Sequence, residues 1–219
     1  MPHFNLRHFM ETLHAQKGSD VFVLQVGAMD GVSFDPMYEY IQSYRWNGLL
    51  VEPISEHFKS LKETYQNSPH IKIANVAIAD HSGTATMHRI ATEHVVSKQV
   101  PRWGMGASSF YNDRNALAFD DVKSFVTQEN VKCVTLPELL ATNAVEKIDI
   151  FQIDAEGHDY HVMKQLDFTR YQPAVIHLEI VNLPKSEQVA CKALLDTHGY
   201  LHVKAGYNLL AVSPRLIHD

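Results

Sequence analysis

Side chains able to do chemistry fall in three places along this chain. The first is Gly27-Ala-Met-Asp-Gly31, which closes an apolar run, and the second is Glu52, about twenty residues on. The third is a dense group, Asp154, Glu156, His158, Asp159 and His161, joined further along by His177, Glu179 and Asn182. Two glycines bracketing three residues let a backbone turn sharply and approach a ligand closely. A carboxylate after the second apolar run can accept hydrogen bonds from both hydroxyls of an adenosine ribose. His158 has the unperturbed pKa best matched to taking a proton near neutrality, and Glu156 could orient it or bind acceptor hydroxyls. Plainer readings stand beside these. Glycine turns follow strands in any α/β protein, and acids in a helix's first turn favour the macrodipole whatever the chemistry. The acid at the end of the second strand favours ligand binding for the first two places; for His158, base and helix cap both stay open.

These residues need a frame, and the hydrophobic pattern supplies one. Val21–Val26 suits a strand buried on both faces. Asp35 then caps a helix with Pro36 at its first position, continued by Tyr38, Ile41 and Tyr44. A second strand, Gly48–Val51, leads through Glu52 to a helix opened by Pro53 and Ser55. A third strand spans Ile71–Ala79, and the alternating Thr84–Ile90 predicts a hairpin with it. Val131–Leu136 reads as a strand and Pro137–Thr142 as a short helix. A fourth strand, Ile148–Asp154, precedes a helix over His158–Leu166. A fifth, Ala174–Ile180, places His177 and Glu179 on one face by alternation. A helix from Pro184 to His198 ends at Gly199, and Tyr200–Lys204 with Asn208–Val212 closes the chain as a hairpin. Ahead of all this, Phe4–Gln16 is a short amphipathic helix that packs on the sheet or on a partner subunit, which leaves a homo-oligomer open. Residues 91–130 hold no lasting period and carry Pro101, Trp103, Gly104, Gly106, Phe110 and Tyr111. A stretch of that length in a compact domain predicts a lid or substrate loop.

A chain of 219 residues suits one domain over 1–219, with 1–20 as its N-terminal helix and 91–130 as an insertion. The net charge of −6, with no basic stripe, argues against a nucleic-acid partner. Cys133 and Cys191 have neither metal nor redox spacing. No apolar run approaches a membrane span, and Met1–Asp20 lacks a signal-peptide core, so the cytoplasm is the expected compartment.

In order, Val26-Gly-Ala-Met-Asp-Gly31, Leu50-Val-Glu-Pro53, Asn75-Val-Ala-Ile78 with Gly83, and Ile148-Asp-Ile-Phe-Gln-Ile-Asp-Ala-Glu-Gly157 resemble the FkbM-type methyltransferases. These are class I enzymes using S-adenosylmethionine (SAM). The resemblance spans roughly residues 20–213. It implies an α/β, three-layer, Rossmann-like sheet of seven strands in the order 3-2-1-4-5-7-6, strand 7 antiparallel, with the terminal hairpin as strands 6 and 7. It also implies that Gly27, Ala28, Asp30 and Gly31 pass under the methionine moiety of SAM. Glu52, with Pro53 beside it, would hold the ribose, Asn75, Val76 and Ala77 would flank the adenine, and Asp154 would face the amino group or the acceptor. The implied reaction is O-methylation of a sugar, glycolipid or natural product, a small-molecule or glycan acceptor. Asp154, Glu179 and Asn182 resemble the Mg²⁺ site of some related O-methyltransferases; otherwise Glu179 pairs with a buried donor. Zinc on His158, His161 and His177 is disfavoured, since no cysteine joins them. Gln25 replaces an acid frequent in the family, and Gln152 a frequent lysine. Two rivals remain. One is a SAM- or nucleoside-binding protein without catalysis. The other is a nicotinamide-dependent oxidoreductase, against which Met29 stands where a third glycine is needed.

Overall fold

The structure, a computed structural model, describes residues 4–218; Met1 to His3 of the expected N-terminal segment and Asp219 lie outside the described residues. The elements run α1 (Leu6–Lys17), β1 (Phe22–Val26), α2 (Tyr38–Tyr44), β2 (Asn47–Val51), α3 (Ser55–Thr64), β3 (Ile71–Ala74), β4 (Ala77–Ile78), β5 (Gly83–Ile90) and α4 (Thr92–Val96). They continue with β6 (Ser108–Ser109), β7 (Val126–Val134), α5 (Leu136–Thr142), β8 (Ile150–Ile153), α6 (Asp159–Met163) and β9 (Val175–Glu179). The chain closes with α7 (Lys185–Thr197), β10 (Leu201–Ala205), β11 (Asn208–Val212) and α8 (Pro214–His218).

A seven-stranded sheet has the order β10-β11-β9-β8-β1-β2-β3. Counted within that sheet from its other edge, this is 3-2-1-4-5-7-6. Its neighbours are parallel except β11, which runs antiparallel to β9 and β10. Strand alternation sends Leu24, Val26, Phe151, Ile153, Ile176 and Leu178 to one face, under Leu139 and Leu140 of α5, Val162 of α6 and Leu195 of α7. Val23, Ile150 and Val175 go to the other, under Phe9 and Leu13 of α1, Ile41 of α2 and Leu216 of α8. Each fully buried aliphatic side chain is worth about 1.5–3 kcal/mol over exposure, so the strands cannot exchange faces. Among the described residues no helix is long and apolar enough to cross a membrane.

Several elements differ from the sequence-based expectation. The third strand does not run unbroken to Ala79: after Ala74 the chain leaves the large sheet, and Ala77–Ile78 pairs parallel with Cys133–Val134. At the break, the Asn75 side-chain amide donates to the carbonyls of Glu52 (2.8 Å) and Pro53 (3.0 Å), which ties the chain to the end of β2. Thr84–Ile90 forms no hairpin with that strand. It pairs antiparallel with β7, which starts at Val126 rather than Val131 and lies between β4 and β5 in a second sheet, β4-β7-β5-β6. Residues 91–125, expected to be irregular, hold α4, β6 and three 3₁₀ turns. They form their own small core from Val95, Val100, Ala107, Leu117 and Val122 against Ile90, because the apolar residues there are spaced for turns and not for one helix or strand. Helix α2 begins at Tyr38, not Pro36, and α6 covers only Asp159–Met163.

Candidate functional site

β1 ends beneath the backbone of Asp154, and Gly27 turns there at φ +84°; a Cβ at this position would lie 1.8 Å from the Asp154 carbonyl oxygen. Only glycine passes that point. The Gly27 and Ala28 amides both donate to the Val51 carbonyl (3.0 Å each), which ties the loop to β2. Met29, at φ +47°, donates its amide to Glu52 Oε2 (2.9 Å), and the Ile54 amide donates to Oε1 (2.8 Å). Glu52 is only 3% exposed, and these two amides fix its carboxylate against the cavity. Asp30 is engaged by its own loop. Its Oδ1 accepts from the Val32 and Ser33 amides (2.9 and 2.7 Å), and its Oδ2 accepts from the Ser33 hydroxyl (2.8 Å). Asp30 and Gly31 thus shape the loop, while Gly27, Ala28, Glu52, Pro53, Val76 and Ala77 line the cavity. Asn75 acts one step back, clasping the 52–53 backbone.

The cavity, of about 420 Å³, lies outside the carboxyl ends of β1, β2, β8 and β9. Its acids are Asp35, Glu52, Asp154, Glu156 and Glu179, and among the described residues no Lys or Arg lines it. Phe34, Trp103, Phe110 and Tyr207 add aromatic surface. Asp35, read from sequence as a helix cap, accepts from the Met37 amide through Oδ1 (2.7 Å). His57, not singled out from sequence, lines the cavity with Nδ1 3.8 Å from Glu52 Oε1.

Where β8 and β9 end, register brings the acids together. Gln152 pairs with His177 and Ile153 with Leu178, so Asp154 and Glu179 follow side by side. Oxygens of Asp154, Glu156 and Glu179 lie within 4.8 Å of one another. Asn182 presents its amide Nδ2 to Glu156 (2.9 Å) and Glu179 (2.7 Å), and Asn115 donates to Glu156 (3.1 Å). Asp159 lies below, its oxygens accepting from the Ala155 and Gly157 amides. Glu156 is held at φ +48°. Burial and then the neighbouring carboxylates push Asp154 up to about 6, Asp159 to about 7 and Glu179 to about 8, with Glu156 well above its ordinary value. Burial, then the adjacent His161, draws His158 down to about 4. The pKa match that favours His158 from sequence is therefore inverted: burial moves the imidazole away from neutrality and an acid toward it. His158 Nδ1 meets the Tyr111 hydroxyl (3.1 Å), and its Nε2 has no partner. His161 faces Glu187 at 3.4 Å, and His177 Nδ1 faces Gln152 Oε1 at 2.6 Å inside the sheet. Among the described residues the candidate metal-ligand group is the carboxylate trio, so the three histidines form no zinc set.

The two departures from the FkbM pattern are neighbours. Gln25 and Gln152 are register partners on adjacent parallel strands, and His177 continues the row. A neutral amide pair occupies the interior of the sheet, where an acid and a lysine would form a charged one. Tyr111 and Asn115 carry no sequence signal. They reach the site because β6 pairs with β5 and the Ser109 hydroxyl donates to the Glu156 carbonyl (2.6 Å).

An open, mostly parallel sheet with one antiparallel strand near its edge, and a cavity at the carboxyl ends of its central strands, define the class: a Rossmann-like α/β fold of the class I methyltransferase type. The sequence matches the methyltransferase FkbM domain over residues 25–209, and the chain belongs to that family. No curated protein matches it in sequence. Among solved structures, methyltransferase FkbM from Methylobacillus flagellatus KT aligns at TM-score 0.56 and 10% identity, over 88% of this chain and 44% of that one. The METTL16 methyltransferase domain aligns at 0.52 and 12% identity, over 95% of this chain and 65% of that one. At such identities the likeness is one of fold, and the chain spans less than two thirds of either relative.

Proposed function

We propose that this protein transfers a methyl group from SAM to a hydroxyl of a sugar, glycolipid or other natural-product acceptor. The observation that carries this is a single cavity lined both by a clamped acid, Glu52, and by the Asp154, Glu156 and Glu179 group. The cavity suits a polar ligand: Gln25 Oε1, Asp35 Oδ2 and His57 Nε2 are buried lining atoms without a protein partner. SAM supplies a methyl group on a cationic sulfonium. In this reading Glu52 holds the ribose, Pro53, Val76 and Ala77 flank the adenine, and Gly27 and Ala28 run beneath the methionine arm. Asn75, Asp30 and Gly31 keep those segments in place.

Asp154 takes the acceptor's hydroxyl proton while the new O–C bond forms and the C–S bond breaks, releasing a neutral thioether. Support comes from its position in the cavity wall between Glu52 and Glu179, its elevation by burial to about 6, and the lack of any hydrogen bond holding its charge. Glu156 and Glu179, braced by Asn115 and Asn182, bind acceptor hydroxyls, and neutral His158 offers Nε2 to them. The absence of Lys and Arg from the wall favours an acceptor without phosphate or carboxylate at its reacting end. The carboxylate spacing also fits an oxygen-ligated Mg²⁺ held by Asp154, Glu156 and Glu179, which would lower the acceptor hydroxyl's pKa. Turnover that survives chelation would leave the proton transfer to Asp154 alone.

Calorimetry with SAM, S-adenosylhomocysteine and NAD, followed by labelled SAM with a panel of neutral sugars and natural products, tests the proposal. SAM binding with label transfer supports it. SAM binding without transfer to any acceptor leaves a non-catalytic SAM binder, and preference for NAD would replace the assignment with an oxidoreductase.

A further inference from the structure

We infer that Asp35 supplies the negative charge that holds the methionine ammonium of SAM, with Gln25 adding a neutral oxygen beside it; this rests on the SAM reading above. Gln25 is 2% exposed, lines the cavity, and its Oε1 has no donor. Asp35 uses Oδ1 to accept from the Met37 amide (2.7 Å), which fixes the carboxylate and leaves Oδ2 buried and unpartnered. Gln25 and Asp35 line the same cavity, and burial raises the Asp35 carboxyl, a penalty that a cationic partner offsets. Two buried acceptors without donors are costly unless a ligand answers them. No Lys or Arg of the wall does so. An ammonium group carries three N–H donors and one positive charge, and matches both oxygens. Asp154 is the competing acid, but its oxygens are grouped with those of Glu156 and Glu179. The pair would select for ligands that keep the amino-acid arm.

The test is calorimetry with two ligands, S-adenosylhomocysteine and 5′-methylthioadenosine, which lacks that arm. Asp35→Asn keeps an oxygen for the Met37 amide, and a thermal melt checks its fold. Its Kd for S-adenosylhomocysteine should rise about tenfold or more while that for methylthioadenosine stays within about twofold, the scale of losing one hydrogen bond to a charged group. Adding Gln25→Glu to Asp35→Asn should restore most of the loss, which a merely structural role for Asp35 would not allow. Equal weakening of both ligands, unchanged S-adenosylhomocysteine affinity, or the arm-specific loss arising in Asp154→Asn instead would each overturn the assignment. If the unmodified protein binds neither ligand, the SAM reading itself fails and takes this inference with it.

Discussion

Just past β2, two backbone amides hold the Glu52 carboxylate; where β8 and β9 end, the protein holds acids against one another. Glu52 receives amides from Met29 and Ile54 and stays buried. Burial first, then nearby carboxylates, forces the acids upward: Glu52 and Asp35 act on Asp154, and Asp154 acts on Glu156 and Glu179. The contrast separates two tasks. A ribose-binding carboxylate works best as a fixed charge with a fixed direction. A group that takes a proton near neutrality must be destabilised as an anion until its pKa approaches the working pH. The first arrangement is built by short-range turns, and the second by register and by a loop arriving from a second sheet.

The contrast is open to attack, beginning with the largest effect. Gly27→Ala drives a Cβ into the Asp154 backbone, where neither strand can yield. It should destabilise the protein by ~3 kcal/mol or more, read as a lost or sharply lowered thermal transition. A normal melting temperature would mean that β1 and β8 are not locked at that crossing. Next, Asp154→Asn should slow turnover by ~10²-fold or more with little change in S-adenosylhomocysteine affinity. Wild-type kcat/KM should fall as pH drops below about 6, because the base must be ionised, and the variant should lose that limb. If His158→Ala removes it instead, the proton goes to the imidazole.

Glu52→Ala should weaken S-adenosylhomocysteine and methylthioadenosine alike by ~1–3 kcal/mol, since both carry the ribose. Affinities that do not move would detach Glu52 from the ligand. The smallest effect concerns stability. Glu179, lifted to about 8 in the fold, is more basic there than in the unfolded chain. Its protonation therefore stabilises the fold at low pH, and that contribution is lost as pH climbs through about 8. His158 and His177, lowered to about 4, act the opposite way at lower pH. Between pH 6.5 and 8.5, Glu179→Gln should consequently lose less stability than the wild type, by a few degrees in melting temperature, about 1 kcal/mol for a chain this size. Parallel melting curves across that range would show that the acids are better solvated than their packing implies.

The sequence by itself determined the large sheet, its alternation of strands and helices, the glycine turn and the acid after β2. Each of these is written in short-range apolar periodicity or in turn chemistry that needs few neighbours. It also put Asp154 and Glu179 at strand ends, because alternation is local. It did not determine that β5 pairs with β7, that the third strand ends at Ala74, or that Tyr111 and Asn115 cross to the acid group; strand partners are chosen by packing over long sequence separations. Nor could it rank His158 against Asp154 as a base or reveal the two free oxygens of Asp35 and Gln25. A titrating group takes its pKa, and a polar atom its partner, from burial and from residues far along the chain, and only the tertiary structure brings these together.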